Sequence, residues 1–302
     1  MSFPWQAERT IEPELAFELI KIQFPFLKPL QLTLLGVGWD NSAFLLDKKY
    51  VFRFPRRTSA LTLLQKESSI LPKIAPLLSL PIPFPKWLGK PSHHFPWPFS
   101  GYAFLPGKTA CSVLLTQAQK ATLAEPLAKF LRSLHEIKLA NCNLPNQCQS
   151  RIEGSSLTNK IFANLQKIAD LKLLDNRAAI ERAVGLCQTF SPPTHHTIVH
   201  GDLYMRHLLV DSSHRLAGVI DWGDLHLGDP AIDLSIVHSL LPATSHDTFR
   251  KSYGEISSST WTLAKLRAIY SNTMLIIFGH HTKEEALLKA GKQSLKKIAE
   301  AT

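Results

Sequence analysis

The chain has 302 residues, 45% hydrophobic and 19% charged, which supplies a large core, excludes a mostly disordered chain and suggests one or two domains. Its formal net charge of +10 suits an anionic partner, yet the basic residues are scattered apart from short clusters at 53–57 and 292–297. No nucleic-acid motif, membrane-length apolar run or secretory leader is visible, and Cys111, Cys142, Cys148 and Cys187 form no C-x-x-C pair, so we expect a cytoplasmic protein with reduced thiols and no nucleic-acid or membrane partner.

Residues 32–55 alternate as a β-meander: LTLLGV, a turn at GWDN, SAFLLD, a turn at Lys48-Lys49, then YVFRFP. Residues 59–79 read as a helix broken at Pro72, and the proline-rich stretch 81–98 as an extended connection. GYAFLPG (Gly101–Gly107) reads as a short strand ending in a turn. Then the period changes. Leu123, Leu127, Phe130, Leu131 and Leu134 fall on one helical face. Residues 138–154 form a polar loop, helical patterns cover 155–174 and 176–190, and from Pro230 the chain reads as helix to its end. The natural boundary lies around Leu105–Ser112, which sets two domains, 1–105 and 106–302.

Between these helices lies VHGDLYMRHLLVDSSHRLAGVIDWGD, residues 199–224. HLLVD and RLAGVID are apolar runs separated by SSH, the pattern of a hairpin. Pairing Val210 with Leu216 sets His207 opposite Val219 and brings Asp221 within about 7 Å of His207. Asp202 starts the same loop. Carboxylates are costly to bury unless paired or metal-bound, so three such groups at one end of a hairpin point to chemistry. A loop Asp, a metal-holding side chain five residues later and an Asp on the next strand are the parts of kinase phosphoryl transfer.

HGDLYMRH, GVIDWGD and GDPAIDLS, in this order and spacing, resemble the aminoglycoside phosphotransferase (antibiotic kinase-like) family. His207 stands where that family usually carries Asn, which is similar to its macrolide-kinase branch. Upstream, YVFRFP resembles the third strand, with Arg53 in place of the nucleotide-binding Lys. Glu67 is similar to the helix Glu that pairs with that cation, and YAFLPGKT, with Phe104, to the hinge. The likeness covers roughly residues 30–245. It implies an α+β, bilobal protein-kinase-like fold: a small antiparallel-sheet N-lobe binding nucleotide, and a larger mainly helical C-lobe for catalysis and substrate. It further implies Mg²⁺, and ATP or GTP as co-substrate with a small-molecule alcohol as acceptor.

On this likeness Asp202 is the catalytic base, His200 orients it from beneath the loop, and Asp221 binds Mg²⁺. His207 is open: imidazole is a poorer partner than an amide oxygen for Mg²⁺, so it either ligates metal, donates to phosphate or leaves the metal to Asp221 and water. Arg53 would pin the nucleotide phosphates, with Arg56 and Arg57 as competitors, and Gly36 and Gly38 mark a turn where phosphates can be covered. Asp229 and Pro230 read as a helix start with Pro at its first position, and Asp233 as structural. His196 and His200 precede a strand and share no helical face, so no zinc site is expected. The acids beyond 246 (Asp247, Glu255, Glu284, Glu285, Glu300) do not outnumber the bases, which suits an alcohol less cationic than an aminoglycoside. Two other functions fit parts of the pattern: an inactive nucleotide-binding pseudokinase, and a metal-dependent phosphohydrolase that would need His238 as a further ligand.

Overall fold

The computed structural model describes residues 7–38, 40–138, 154–174, 176–187 and 196–301. Expectations for Trp39, Cys142, Cys148, His195, residues 139–153 and the end of the helix over 176–190 lie outside them. The chain forms two compact units, Met1–Pro76 with Pro81–Pro106, and Leu77–Leu80 with Gly107–Thr302.

The first unit is built on a five-stranded antiparallel sheet in the order β1-β2-β3-β5-β4. Its strands are β1 (Leu32–Val37), β2 (Asn41–Leu46), β3 (Tyr50–Pro55), β4 (Trp87–Gly89) and β5 (Phe99–Ala103). Alternation places Phe44, Phe52 and Phe54 on one face, where they meet Phe24, Phe95 and Phe99 in a buried cluster. Phe54 and Phe99 stack with centroids 4.4 Å apart. Each such buried ring contributes roughly 2–3 kcal/mol. Helix α1 (Pro13–Gln23) closes this cluster with Ala16, Leu19 and Ile20, and starts on a Pro.

Two expectations fail here. Helix α2 (Thr58–Ile74) runs through Pro72 without a break. Pro72 lies in the last turn, so only one backbone bond is forfeited. The stretch 81–98 is not merely a connection, because Trp87–Gly89 pairs antiparallel with β5. β4 is an edge strand, where nearby prolines are tolerated, and a Cβ on Gly89 would fall 2.2 Å from the Phe99 ring.

The second unit holds helices α3 (Gln117–Thr122), α4 (Ala124–His135), α5 (Gly154–Asp170), α6 (Arg177–Gly185), α7 (Ala231–Leu240), α8 (His246–Tyr253), α9 (Ser258–Thr282) and α10 (Glu285–Glu300). Two small sheets are set among them. β7 (Thr197–Val199) pairs with β10 (His226–Gly228). β8 (Leu208–Val210) pairs with β6 (Lys108–Thr109) and with β9 (Leu216–Val219). Val210 does face Leu216, but a bulge between Leu209 and Val210 sets Leu208 opposite Val219. His207 is therefore one step from its expected partner and its carbonyl accepts from Ile220 N–H. At α7, Pro230 occupies the cap rather than the first helical position, and Asp229 caps from one residue earlier, accepting from Ala231 N–H at 2.7 Å. Among the described residues no helix is long and apolar enough to cross a membrane.

Residues of α7, α8 and α9 form a basic aromatic cluster. The His238 ring lies 4.5 Å from Trp261 and 5.5 Å from His246, and Arg250 stacks over Trp261. His238 therefore sits among apolar and basic groups and is not placed as a ligand beside Asp202 or Asp221. Burial holds its pKa well below the usual imidazole value, and the neighbouring His246, Lys265 and Lys297 push the same way against a hydrogen bond to the Trp261 backbone. Its folded pKa is depressed, so below about pH 6.5 the unfolded chain takes up a proton that the folded chain refuses, and stability falls. The melting temperature should drop as pH is lowered from about 7.5 to about 5.5, and His238→Gln should flatten that slope. An unchanged slope in this variant, read by thermal denaturation, would remove His238 as its source.

Candidate active site

Strand β7 ends at Val199 and delivers His200-Gly201-Asp202 into a loop whose backbone is held by one buried carboxylate. Asp233, in the first turn of α7 and 0% exposed, accepts from His200 N–H at 2.7 Å and from Gly201 N–H at 3.0 Å. His135 Nε2, at the end of α4, lies 3.2 Å from the same carboxylate, and its Nδ1 lies 2.8 Å from the Tyr253 hydroxyl. Burial would raise the Asp233 pKa, but the His135 hydrogen bond and charge, the His200 ring and the Gly201 N–H outweigh it and keep the carboxyl below its usual range. Gly201 has φ +88°, and a Cβ there would fall 2.3 Å from the Asp224 carbonyl oxygen, so the loop admits only glycine.

His200 is fully buried against Trp222, with ring centres 4.6 Å apart. Its Nδ1 accepts from Asp202 N–H at 3.3 Å and its Nε2 donates to the Ile220 carbonyl at 3.0 Å. That tautomer suits a ring whose burial lowers its pKa. The imidazole thus joins the loop to the segment that follows β9 and carries Asp221, with both nitrogens engaged by backbone.

His207 makes the second link. Its Nδ1 donates to the Asp202 carbonyl at 2.7 Å, and its Nε2 lies 3.3 Å from Asp221 Oδ2. The Asp202 carboxylate is 3.8 Å from Nδ1. His207 is 4% exposed, whereas the side chains of Asp202 and Asp221 are 46% and 52% exposed. Burial lowers the His207 pKa, but hydrogen bonding to Asp221 and the charges of both aspartates win and hold it above the usual value. The Asp202 carboxyl is pushed up to about 6, first by desolvation, with Asp224 and Asp221 adding and His207 and Arg267 opposing. Its half-exposed side chain keeps water contact, so solvent tempers that upward pull. Asp221 takes φ +66°, a left-handed conformation open to Asp at some cost and concentrated at functional positions. Tyr204 covers His207, ring centres 4.3 Å apart.

In the first unit, Arg53 on β3 lies 3.4 Å from Glu67 on α2. Glu67 is 3% exposed and also accepts from the Tyr102 hydroxyl at 2.9 Å, which in turn accepts from Ser100 Oγ at 2.9 Å. Arg53 lies over the Tyr102 ring at 5.8 Å. Arg56 and Arg57 turn elsewhere, to the Gly38 carbonyl and to Asp40. Gly38 opens the β1–β2 turn, but Gly36 lies inside β1, opposite Ala43 and next to a register shift, and a Cβ on either would meet nothing closer than 3.6 Å among the described residues. Phe104, at the end of β5, donates its N–H to the Lys49 carbonyl at 2.8 Å.

Asp202, His207, Asp221 and His200 thus converge in the second unit, and Arg53 with Glu67 in the first. Asp233 is structural, as expected, and its targets are the loop N–H groups. Sequence reasoning gave no site role to His135 or Tyr102, because their partners are 98 and 35 residues distant. Among the described residues no three His, Cys, Asp or Glu side chains form a metal cage. Asp233→Asn should destabilise the fold by about 3–5 kcal/mol, since it strips one partner from a buried charged network. A denaturant midpoint close to wild type would show that the loop does not depend on this carboxylate.

The chain matches the model of the phosphotransferase enzyme family (APH) over residues 31–269. It is 28% identical over 156 residues to aminoglycoside 3'-phosphotransferases of Salmonella typhimurium and of Escherichia coli, a match covering 50% of this chain and 56% of each relative. The chain thus spans about half the length of these curated relatives. Its fold is that of wild-type aminoglycoside 2'-phosphotransferase-IIIa in a GDP complex, with TM-score 0.64 at 22% identity over 96% of this chain and 99% of that one. Macrolide 2'-phosphotransferase type I superposes with TM-score 0.62 at 18% identity, over 96% and 98%. The fold is α+β and kinase-like, and the chain belongs to the phosphotransferase enzyme family.

Proposed function

We propose that this protein transfers the γ-phosphoryl group of a nucleoside triphosphate, ATP or GTP, to a hydroxyl of a small molecule with the help of Mg²⁺. One observation carries this reading. Two half-exposed carboxylates, Asp202 and Asp221, flank the buried His207, one on a loop and one on the following strand end. In this reading Asp202 accepts the hydrogen bond of the acceptor hydroxyl and aims its oxygen in line with the transferred group. Desolvation raises its carboxyl pKa and water contact moderates the rise, so it is a stronger proton acceptor than an ordinary Asp.

The donors present suit Mg²⁺, which keeps several waters and takes only one or two carboxylates beside substrate phosphates. Asp221 is the exposed hard donor. His207 adjoins it: Nδ1–H is committed to the Asp202 carbonyl and Nε2 faces the Asp221 carboxylate at 3.3 Å, so the imidazole would steady that carboxylate. When bound, the ion would neutralise charge on the phosphate oxygens. Arg53 would pin phosphates, held in aim by Glu67 and Tyr102, while the backbone at Gly36 and Gly38 leaves room for them. Phe104 would border the base. The first unit then supplies nucleotide-binding residues, and the second the catalytic and acceptor-binding ones.

The acceptor is an alcohol less cationic than an aminoglycoside, such as a macrolide or a metabolite. α9 carries Lys265 and Arg267 and no acid, and Arg267 acts electrostatically on Asp202. A polycation would be repelled there.

The test is nucleotide consumption with Mg²⁺ and ATP or GTP over aminoglycosides, macrolides and small alcohols. Turnover should appear with an uncharged or weakly charged alcohol. Asp202→Ala should lower it by about 10²–10⁴-fold with nucleotide affinity kept. Asp221→Ala should abolish Mg²⁺-dependent affinity. Tight nucleotide binding without turnover of any alcohol would favour a pseudokinase, and nucleotide-free hydrolysis of a generic phosphoester with a transition metal would favour a phosphohydrolase. His207→Asn should keep or raise activity, and complete loss would give the imidazole a role of its own.

A further inference from the structure

Arg56 and Arg57, which join β3 to α2, and Thr58, which starts α2, are tied to two segments distant in sequence. Toward the β1–β2 turn, Arg56 N–H donates to the Asp40 carbonyl at 2.8 Å and the Arg56 guanidinium Nη1 donates to the Gly38 carbonyl. Arg57 Nη1 lies 3.7 Å from the Asp40 carboxylate. Gly38 N–H donates to the Asn41 carbonyl at 2.9 Å and closes the turn. Toward the chain start, the N–H groups of Glu8 and Arg9 both donate to the Arg56 carbonyl, at 2.9 and 3.0 Å. The Glu8 carboxylate accepts from Thr58 N–H at 3.2 Å and from the Thr58 hydroxyl.

Each tie has a physical use. Thr58 is the first residue of α2, and Arg57, at the cap position, makes no side-chain cap bond. Glu8 supplies the missing acceptor and a negative charge at the positive end of the helix that carries Glu67. The turn on the other side opens at Gly38, a residue type with more backbone freedom to lose than any other. A guanidinium is a rigid, planar donor, suited to hold a carbonyl in one direction. Arg56 Nε is buried and has no acceptor among the described residues. Stability alone does not favour leaving that donor unmet.

We propose that Arg56 is a positioning residue, a latch that holds the chain on both sides of the β1–β2 turn, at Gly38 and at Asp40, and that Glu8 anchors the junction from which both this turn and the Glu67 helix hang. The consequence for nucleotide binding rests on the function proposed above. Arg56 touches no phosphate in this scheme. It acts by removing freedom from a turn that would otherwise be ordered only on binding.

The test compares Arg56→Gln, Arg56→Lys and Glu8→Gln with wild type in the full chain. The first readout is amide hydrogen exchange of the peptide covering residues 33–45, which needs no ligand. The second is calorimetric affinity for ATP and GTP with Mg²⁺, set beside adenosine and guanosine. Arg56→Gln should speed exchange in the turn and weaken triphosphate affinity by up to about tenfold, the reach of one hydrogen bond. Nucleoside affinity and melting temperature should stay near wild type. Glu8→Gln should act in the same direction but less, and Arg56→Lys should fall between. Unchanged exchange in Arg56→Gln overturns the latch, and so does an equal loss of triphosphate and nucleoside affinity. If wild type binds no nucleotide while Arg56→Gln still loosens the turn, the latch stands and the nucleotide reading fails.

Discussion

A single buried carboxylate organises the second unit. Asp233 is out of reach of water and receives two consecutive backbone N–H groups and one imidazole. A charge so placed is tolerable only when its hydrogen bonds are made, so helix α7, helix α4 and the loop after β7 must take one mutual arrangement. That arrangement dictates the rest of the site. With His200 and Gly201 held from behind, Asp202 can project only outward. The buried His200 ring then hands the constraint on to Ile220, next to Asp221.

The polar residues fall into a buried tier and an exposed tier. Asp233, His200 and His207 are inside and spend their polar atoms on backbone and carboxylates. Asp202 and Asp221 lie over them, half in water. Buried groups hold geometry because a lost hydrogen bond there leaves an unsatisfied partner, whereas exposed groups can exchange water for substrate. His207 joins the tiers: one nitrogen fixes the loop carbonyl and the other meets Asp221. The first unit repeats the scheme on a smaller scale. Buried Glu67 and Tyr102 hold Arg53, whose side chain keeps 22% exposure.

Much of this was legible because the governing signals are local. The meander over 32–55 follows from alternation and turn residues. The hairpin at 208–219 follows from two apolar runs and a short polar link. The spacing of Asp202, His207 and Asp221 along that hairpin forces them to one end of it. Errors came where a local rule met tertiary context. The bulge at Leu209/Val210 moved His207 by one register step. Pro72 was harmless because the helix was about to end, and Trp87–Gly89 became a strand because β5 offered an open edge.

The sequence by itself determined which residues carry charge at the hairpin end and that sheet precedes helix, since periodicity and spacing act within a few residues. Only the tertiary structure decided that Asp233 holds the loop, that Tyr102 joins Arg53 at Glu67, and that Glu8 caps a helix begun 50 residues later. Those choices depend on hydrogen bonds between segments far apart in the chain. Such bonds have short range and strict direction, so no pattern along the chain encodes them until packing has brought the groups together.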